Sequence, residues 1–196
     1  MKKNVAFITG NGGKYRTLCS YLEPIGWTVE QIDLPLYEIQ SFSLEEICLD
    51  KARQSLNNVN PPFITTDGGL FIDSLNDFPG AYTKPAVEKI GCEGLLKLME
   101  GSEDRSCHFE MCLIYVDEGS KTHVFKNMVE GKMAKEIDKN KNEAAWGSVW
   151  NIFIPKGGNR TVSAMTDSEY NSLKDRYQSG SAWKDLVSFL KNKYGG

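Results

Sequence analysis

Between Ile8 and Lys14 the chain reads Ile-Thr-Gly-Asn-Gly-Gly-Lys, and no other stretch restricts the fold so strongly. It follows Asn4–Ile8, a short β-rich apolar run that fits a buried strand. It precedes Lys14–Leu22, where Tyr15, Leu18, Cys19 and Leu22 recur at helical spacing. A strand that passes through glycines into a helix begins an α/β layer. The same turn presents backbone N–H groups and the positive end of a helix dipole, and both favour a phosphate. Lys14 adds a point charge; a plain Gly-rich turn is the competing reading. Two better-known patterns fail here. A P-loop needs Gly at position 8 and Ser or Thr at position 15, where Ile8 and Tyr15 stand, and the G-x-G-x-x-G fingerprint is not met.

Downstream, Trp27–Ile32 reads as a strand and Ser43–Leu56 as a helix opened by the capping box Ser43-Leu-Glu-Glu46. Phe63–Thr65 reads as a strand, with Leu70–Leu75 a further one after Asp67-Gly-Gly69. Thr83–Met99 is helical, Ser106–Val116 and Thr122–Ile137 are strands of a meander, Asn151–Pro155 is a strand, and Ser168–Asn192 is helical with a break at Ser179-Gly-Ser181. This order predicts a mixed α/β sheet covered by helices. No repeat or linker divides the chain, so 196 residues form a single domain, 1–196. Trp183 shares a helical face with Leu186, Val187 and Leu190 and is expected in the core.

Composition narrows the function classes. Lys+Arg 23 against Asp+Glu 26 gives a net charge of −3, which with no basic aromatic stripe argues against a nucleic-acid partner. No apolar run reaches the ~20 residues that span a bilayer, so no membrane partner is expected. The first apolar run stops at Gly10 without a small-residue cleavage site, so it reads as a strand and not a signal peptide. Five cysteines without a C-x-x-C pair read as thiols of a reducing cytoplasm. Two histidines make a His-rich metal site or a Ser-His-Asp triad improbable.

Two acidic positions stand out. Asp67 follows an apolar strand and precedes two glycines, where a carboxylate can meet a metal or activate water; an Asp-Gly turn is the plainer alternative. Glu38 lies between the second strand and the capped helix, while Glu45 and Glu46 read as first-turn residues and Lys51 as an ordinary helix lysine.

Together these segments resemble the inosine triphosphate pyrophosphatase family, which hydrolyses non-standard purine nucleoside triphosphates. Thr9-Gly-Asn-Gly-Gly-Lys14 resembles its T-G-N-x-x-K, Glu38-Ile-Gln40 its P-E-I-Q, Glu46 to Lys51-Ala52 its E-x-x-x-x-K-A helix, Thr66-Asp-Gly-Gly-Leu70 its E-D-S-G-L, and Phe78-Pro-Gly-Ala-Tyr82 its L-P-G-x-Y. The similarity covers roughly residues 4–116. The resemblance implies an elongated mixed sheet in two lobes around a nucleotide cleft, a cytoplasmic homodimer, and hydrolysis of a nucleoside triphosphate to a monophosphate and pyrophosphate with Mg²⁺, Mn²⁺ being the alternative ion. It implies that Thr9, Asn11, Lys14, Lys51 and Lys84 hold phosphates, that Glu38 and Asp67 bind the metal, and that Asp67 positions or activates water.

The last third departs from the family. Where the family has G-F-G-[YW]-D-P, this chain has Ala145-Trp-Gly-Ser-Val-Trp-Asn151. The family Asp falls on Trp150, and Trp146 is the alternative to its Phe; core packing and base stacking stay open for both. Tyr170 replaces a substrate-binding Lys, Lys174 a Ser and Asp175 a His, while Arg176 is kept; Thr66 and Thr17 each replace a Glu. The base-reading set is therefore Trp146, Trp150, Tyr170, Asp175 and Arg176. A carboxylate only accepts hydrogen bonds, so Asp175 favours a base that presents N–H donors. The expectation is a metal-dependent pyrophosphatase whose base preference has moved from inosine and xanthosine. A catalytically weakened nucleotide sensor, or an enzyme of a specialised modified-nucleotide pathway, is the alternative.

Overall fold

The first apolar run forms strand β1 (Lys3–Ile8), buried from Val5 to Ile8. The computed structural model describes residues 3–139, 147–176 and 181–195. After β1 come α1 (Gly12–Leu22), β2 (Trp27–Ile32), α2 (Leu44–Ser55), β3 (Phe63–Ile72) and the two-residue β4 (Pro79–Gly80). Then follow α3 (Thr83–Leu98), β5 (Ser106–Val116), β6 (Thr122–Met133), β7 (Phe153–Pro155), α4 (Asp167–Arg176) and α5 (Ala182–Tyr194). The strands form one mixed sheet of seven in the order β2-β1-β3-β5-β6-β7, with β4 paired to β3. β1 is parallel to both β2 and β3, because a helix returns the chain each time. The expected α/β class is the one observed, with helices flanking the sheet. Among the described residues, no helix is long and apolar enough to cross a membrane.

One element differs in kind from its sequence reading. Asp67-Gly-Gly69 is not a turn between two strands: β3 runs through it without interruption. Helix α3 carries a break that the periodicity does not announce, at Gly91, whose φ of 67° lies in the left-handed region.

The residues gather in two compact units, one of residues 1–67, 111–127 and 180–196, the other of 68–110 and 128–179. In the first, Trp183 of α5 stands edge-on to Phe7 at 6.2 Å and stacks on Tyr21 of α1 at 6.4 Å. Trp183, Leu186 and Leu190 are all buried, the helical spacing expected of a core face. Helix α2 contributes Ile47, Cys48 and Ala52 to the interior, and the Cys48 thiol donates to the Cys112 carbonyl at 3.4 Å. All five cysteines are free thiols. The core of the second unit is built from Leu70, Ile72, Leu95, Met99, Phe109, Ile152 and Phe153 with their neighbours.

A buried charge fixes the β5–β6 turn to α5. Asp117 Oδ1 accepts from the Gly119 and Lys121 amides at 3.0 and 2.9 Å, and Oδ2 meets His123 Nε2 at 2.8 Å and Lys193 Nζ. Hydrogen bonds from His123 and then Lys193 hold its carboxyl well below the usual carboxylate range, against the opposing effect of burial. A depressed folded-state pKa contributes stability above the unfolded value, about 4, and that contribution is lost as the pH falls through the folded pKa. The melting temperature of wild type should therefore exceed that of Asp117→Asn near pH 5, and the gap should narrow between about pH 4 and pH 2. A constant gap in thermal unfolding across that range would show that the Asp117 charge is not linked to folding.

Candidate active site

β1 ends at Ile8 and the chain enters α1 through a cap made by its own side chains. Asn11 has an extended backbone, φ −89° and ψ 102°, and its Oδ1 accepts from the Gly13 and Lys14 amides at 2.9 and 3.0 Å. The Asn11 amide in turn donates to Thr9 Oγ1 at 3.1 Å. Thr9 and Asn11, two polar members of this loop, thus organise its N–H groups from within. Thr17 Oγ1 donates back to the Gly13 carbonyl at 3.0 Å.

Helix α2 opens through a relay and not the simple capping box. Ser43 Oγ accepts from the Glu46 amide at 3.3 Å. Glu46 Oε2, however, accepts from Ser41 Oγ at 2.6 Å, and Ser41 Oγ accepts from the Ser43 amide at 2.9 Å. This fixes the start of the helix, on which Lys51 faces Asp67 midway along β3. Its ammonium lies 2.6 Å from Asp67 Oδ2 and 2.7 Å from Glu38 Oε1. Lys51 is therefore not a solvated helix lysine: its side chain is 14% exposed, against 18% for Asp67 and 52% for Glu38.

Lys14 belongs to the same cluster electrostatically. Burial lowers its pKa, opposed by attraction to Asp67 and reinforced by repulsion from Lys51. Burial also presses on Lys51, but Asp67 and Glu38 outweigh it and its pKa is raised. Two ammonium groups and two carboxylates in one place suit an oligophosphate with a hard cation. The donor set fits such a cation: both carboxylates reach one point, now held by the Lys51 ammonium, with oxygen ligands only.

One residue beside this cluster lies outside the sequence expectations. Gln54, on α2 beyond Lys51, hydrogen-bonds the backbone of Tyr37 beside Glu38; its spacing from Lys51 on one helix face is the available signal. Thr66, where the family has a Glu, is buried, and its Oγ1 has no hydrogen-bond partner among the described residues.

The remaining candidates lie in the second unit. Lys84 is exposed in the first turn of α3. Trp150 is a core side chain, 9% exposed, with its ring 4.8 Å from Phe109 and 5.7 Å from Phe153. Tyr170 of α4 packs partly buried against the same core. Asp175 and Arg176 close α4, and their side chains lie outside the described residues, as does Trp146.

The Ham1 family profile matches residues 5–187. The chain is 36% identical over 187 residues to a dITP/XTP pyrophosphatase of Thermococcus kodakarensis, covering 95% of this chain and 97% of the relative. It is 36% identical over 192 residues to a dITP/XTP pyrophosphatase of Methanopyrus kandleri, covering 98% of each. Among solved structures, the Ham1 protein of Staphylococcus aureus superimposes with a TM-score of 0.76 at 22% identity, over 97% of this chain and 100% of that one. A HAM1 protein from Coxiella burnetii gives a TM-score of 0.78 at 21% identity, over 97% and 99%.

Proposed function

The chain belongs to the Ham1 family, and from that premise we propose that it hydrolyses a non-standard nucleoside triphosphate to the monophosphate and pyrophosphate. The observation that carries this reading is the Lys51 ammonium, 2.6 Å from Asp67 and 2.7 Å from Glu38. A triphosphate carries a charge near −4 and needs cations on several oxygens at once. Lys14 and Lys51 supply two. As Lys51 turns to a phosphate, its two carboxylates become available as cation ligands. A divalent cation held by Glu38 and Asp67 would neutralise phosphate charge and polarise the reacting phosphoryl group.

Asp67 has a second task. Its carboxylate orients a water molecule and takes up the proton released as the water oxygen bonds to the α-phosphorus. The bond from that phosphorus to the bridging oxygen breaks, and pyrophosphate leaves with the electron pair. The Asn11 cap holds the α1 amides in one arrangement beforehand, so the loop loses little entropy on binding.

We further propose that the base preference differs from inosine and xanthosine. Asp175 stands where the family has His, and it favours a base edge with N–H donors or an exocyclic amine. Pyrophosphate release from a panel of standard and modified nucleoside triphosphates with Mg²⁺ tests both statements. The expected product is pyrophosphate, with an amine-bearing base ranked first by kcat/KM. Inosine triphosphate ranked first would end the base proposal. Orthophosphate as the product, or no turnover of any nucleotide, would end the pyrophosphatase reading.

A further inference from the structure

Residues 33–42 join β2 to α2 without helix or regular strand, and they carry Glu38. Apolar burial holds the first part of this segment, where Leu34 and Leu36 are half-buried, but Tyr37 and Phe42 on either side of Glu38 are each 86% exposed. Side chains of α2 take over that task. Gln54 Oε1 accepts from the Tyr37 N–H at 3.0 Å, and Gln54 Nε2 donates to the Tyr37 carbonyl at 2.7 Å. Lys51 pairs with Glu38 at 2.7 Å, and Ser41 with Glu46 at 2.6 Å. The ties run in opposite order along the two segments, so the connection lies antiparallel on the helix. The lengths agree: the helix rises about 12 Å from 46 to 54, and extended chain covers about 13 Å from 37 to 41.

The three ties differ in kind. The Lys51–Glu38 pair is exchanged whenever Lys51 takes a phosphate or Glu38 a cation. The Ser41–Glu46 bond joins two side chains beyond Glu38. The Gln54 clamp grips the backbone of the residue adjoining Glu38 through two neutral hydrogen bonds, and no charge exchange in the site affects it. Asp50 Oδ2 accepts from Gln54 Nε2 at 2.6 Å, which keeps the amide nitrogen turned toward the Tyr37 carbonyl.

We propose that Gln54 is a positioning residue for Glu38: it holds the carboxylate at the cation position while Lys51 turns to the phosphates. This rests on the reading of Glu38 as a cation ligand given above. Gln54→Met keeps the approximate length of the side chain and removes both hydrogen bonds to Tyr37, together with the one to Asp50. Mn²⁺ alone, titrated by electron paramagnetic resonance into the nucleotide-free enzyme, should bind Gln54→Met about five- to tenfold more weakly than wild type. The Mg²⁺ concentration for half-maximal pyrophosphate release should rise by a similar factor, with kcat at saturating Mg²⁺ falling much less. Asp50→Ala leaves Gln54 in place with a freer amide, and should give the same change at roughly two- to threefold; it carries the test if Gln54→Met does not fold.

Unchanged Mn²⁺ affinity and Mg²⁺ half-saturation in these variants would overturn the proposal. So would a lower melting temperature and kcat with unchanged metal dependence, the result expected of a merely structural residue. Wild-type enzyme that binds Mn²⁺ but releases no pyrophosphate would count against the activity and not against the clamp, since the Mn²⁺ comparison stands without turnover.

Discussion

Asp67→Asn should lower pyrophosphate release by about a thousandfold or more. The substitution keeps the shape of the side chain and removes three properties together. A carboxamide does not take up the proton of the attacking water at neutral pH. It offers no charge to a divalent cation. It also leaves Lys51 with Glu38 as its only charged partner within 4 Å among the described residues, where Asp67 now lies at 2.6 Å. The charge and hydrogen bond of Asp67 raise the Lys51 pKa against its burial, so that support is lost too. The measurement is single-turnover pyrophosphate release beside far-ultraviolet circular dichroism. A folded variant that keeps a tenth of the wild-type rate would place the chemistry elsewhere.

Gly69→Ala should destabilise the fold by about 3 kcal/mol, near the upper end for overpacking. A Cβ at this position would lie 2.2 Å from the Gly80 carbonyl oxygen and 2.7 Å from its carbon. Those are backbone atoms of β4, which pairs with β3 through Leu70 and Gly80. Gly80 cannot withdraw freely. Its carbonyl accepts from Thr83 Oγ1 at 2.7 Å, and Thr83 Oγ1 accepts from the Leu70 amide at the same distance. One added methyl group therefore strains a strand pair and the start of α3 together. Differential scanning calorimetry should record a fall in Tm of roughly 6–12 °C for a chain of this size. A change below about 2 °C would mean that β4 yields without cost.

The contrast between Asp67 and its two glycines shows what a sequence discloses. Asp67 was recognisable as a candidate carboxylate, though it lies midway along β3 and not at a strand end, and its grouping with Glu38 and Lys51 followed from the family resemblance. The continuity of β3 through Gly68 and Gly69 was not legible. An Asp-Gly pair favours a turn locally, and the reason for glycine here is the Gly80 carbonyl, eleven positions away in the chain. Trp150 poses the same difficulty, because stacking on a base and packing on Phe109 and Phe153 look alike until the partners are in place. Asn11 shows the reverse case. It stood in a phosphate motif, yet an Asn ahead of the first helical turn is also a helix cap, and its Oδ1 does that work here. Gln54 carried only the weak signal of sharing a helix face with Lys51, since its partner is a backbone and a backbone has no letter in the sequence.

The connection laid along α2 has a consequence for how this chain can vary. Its ties at 37, 38 and 41 meet partners fixed at 54, 51 and 46 on a rigid helix. Ile39 and Gln40 lie between ties, and no tie depends on their side chains, so substitutions there should leave the three ties in place. A single inserted or deleted residue is another matter. It changes the extended span by about 3.4 Å, and Glu38 and Ser41 can no longer both meet their partners. The number of residues between these ties is thus expected to matter more than the side chain of Ile39.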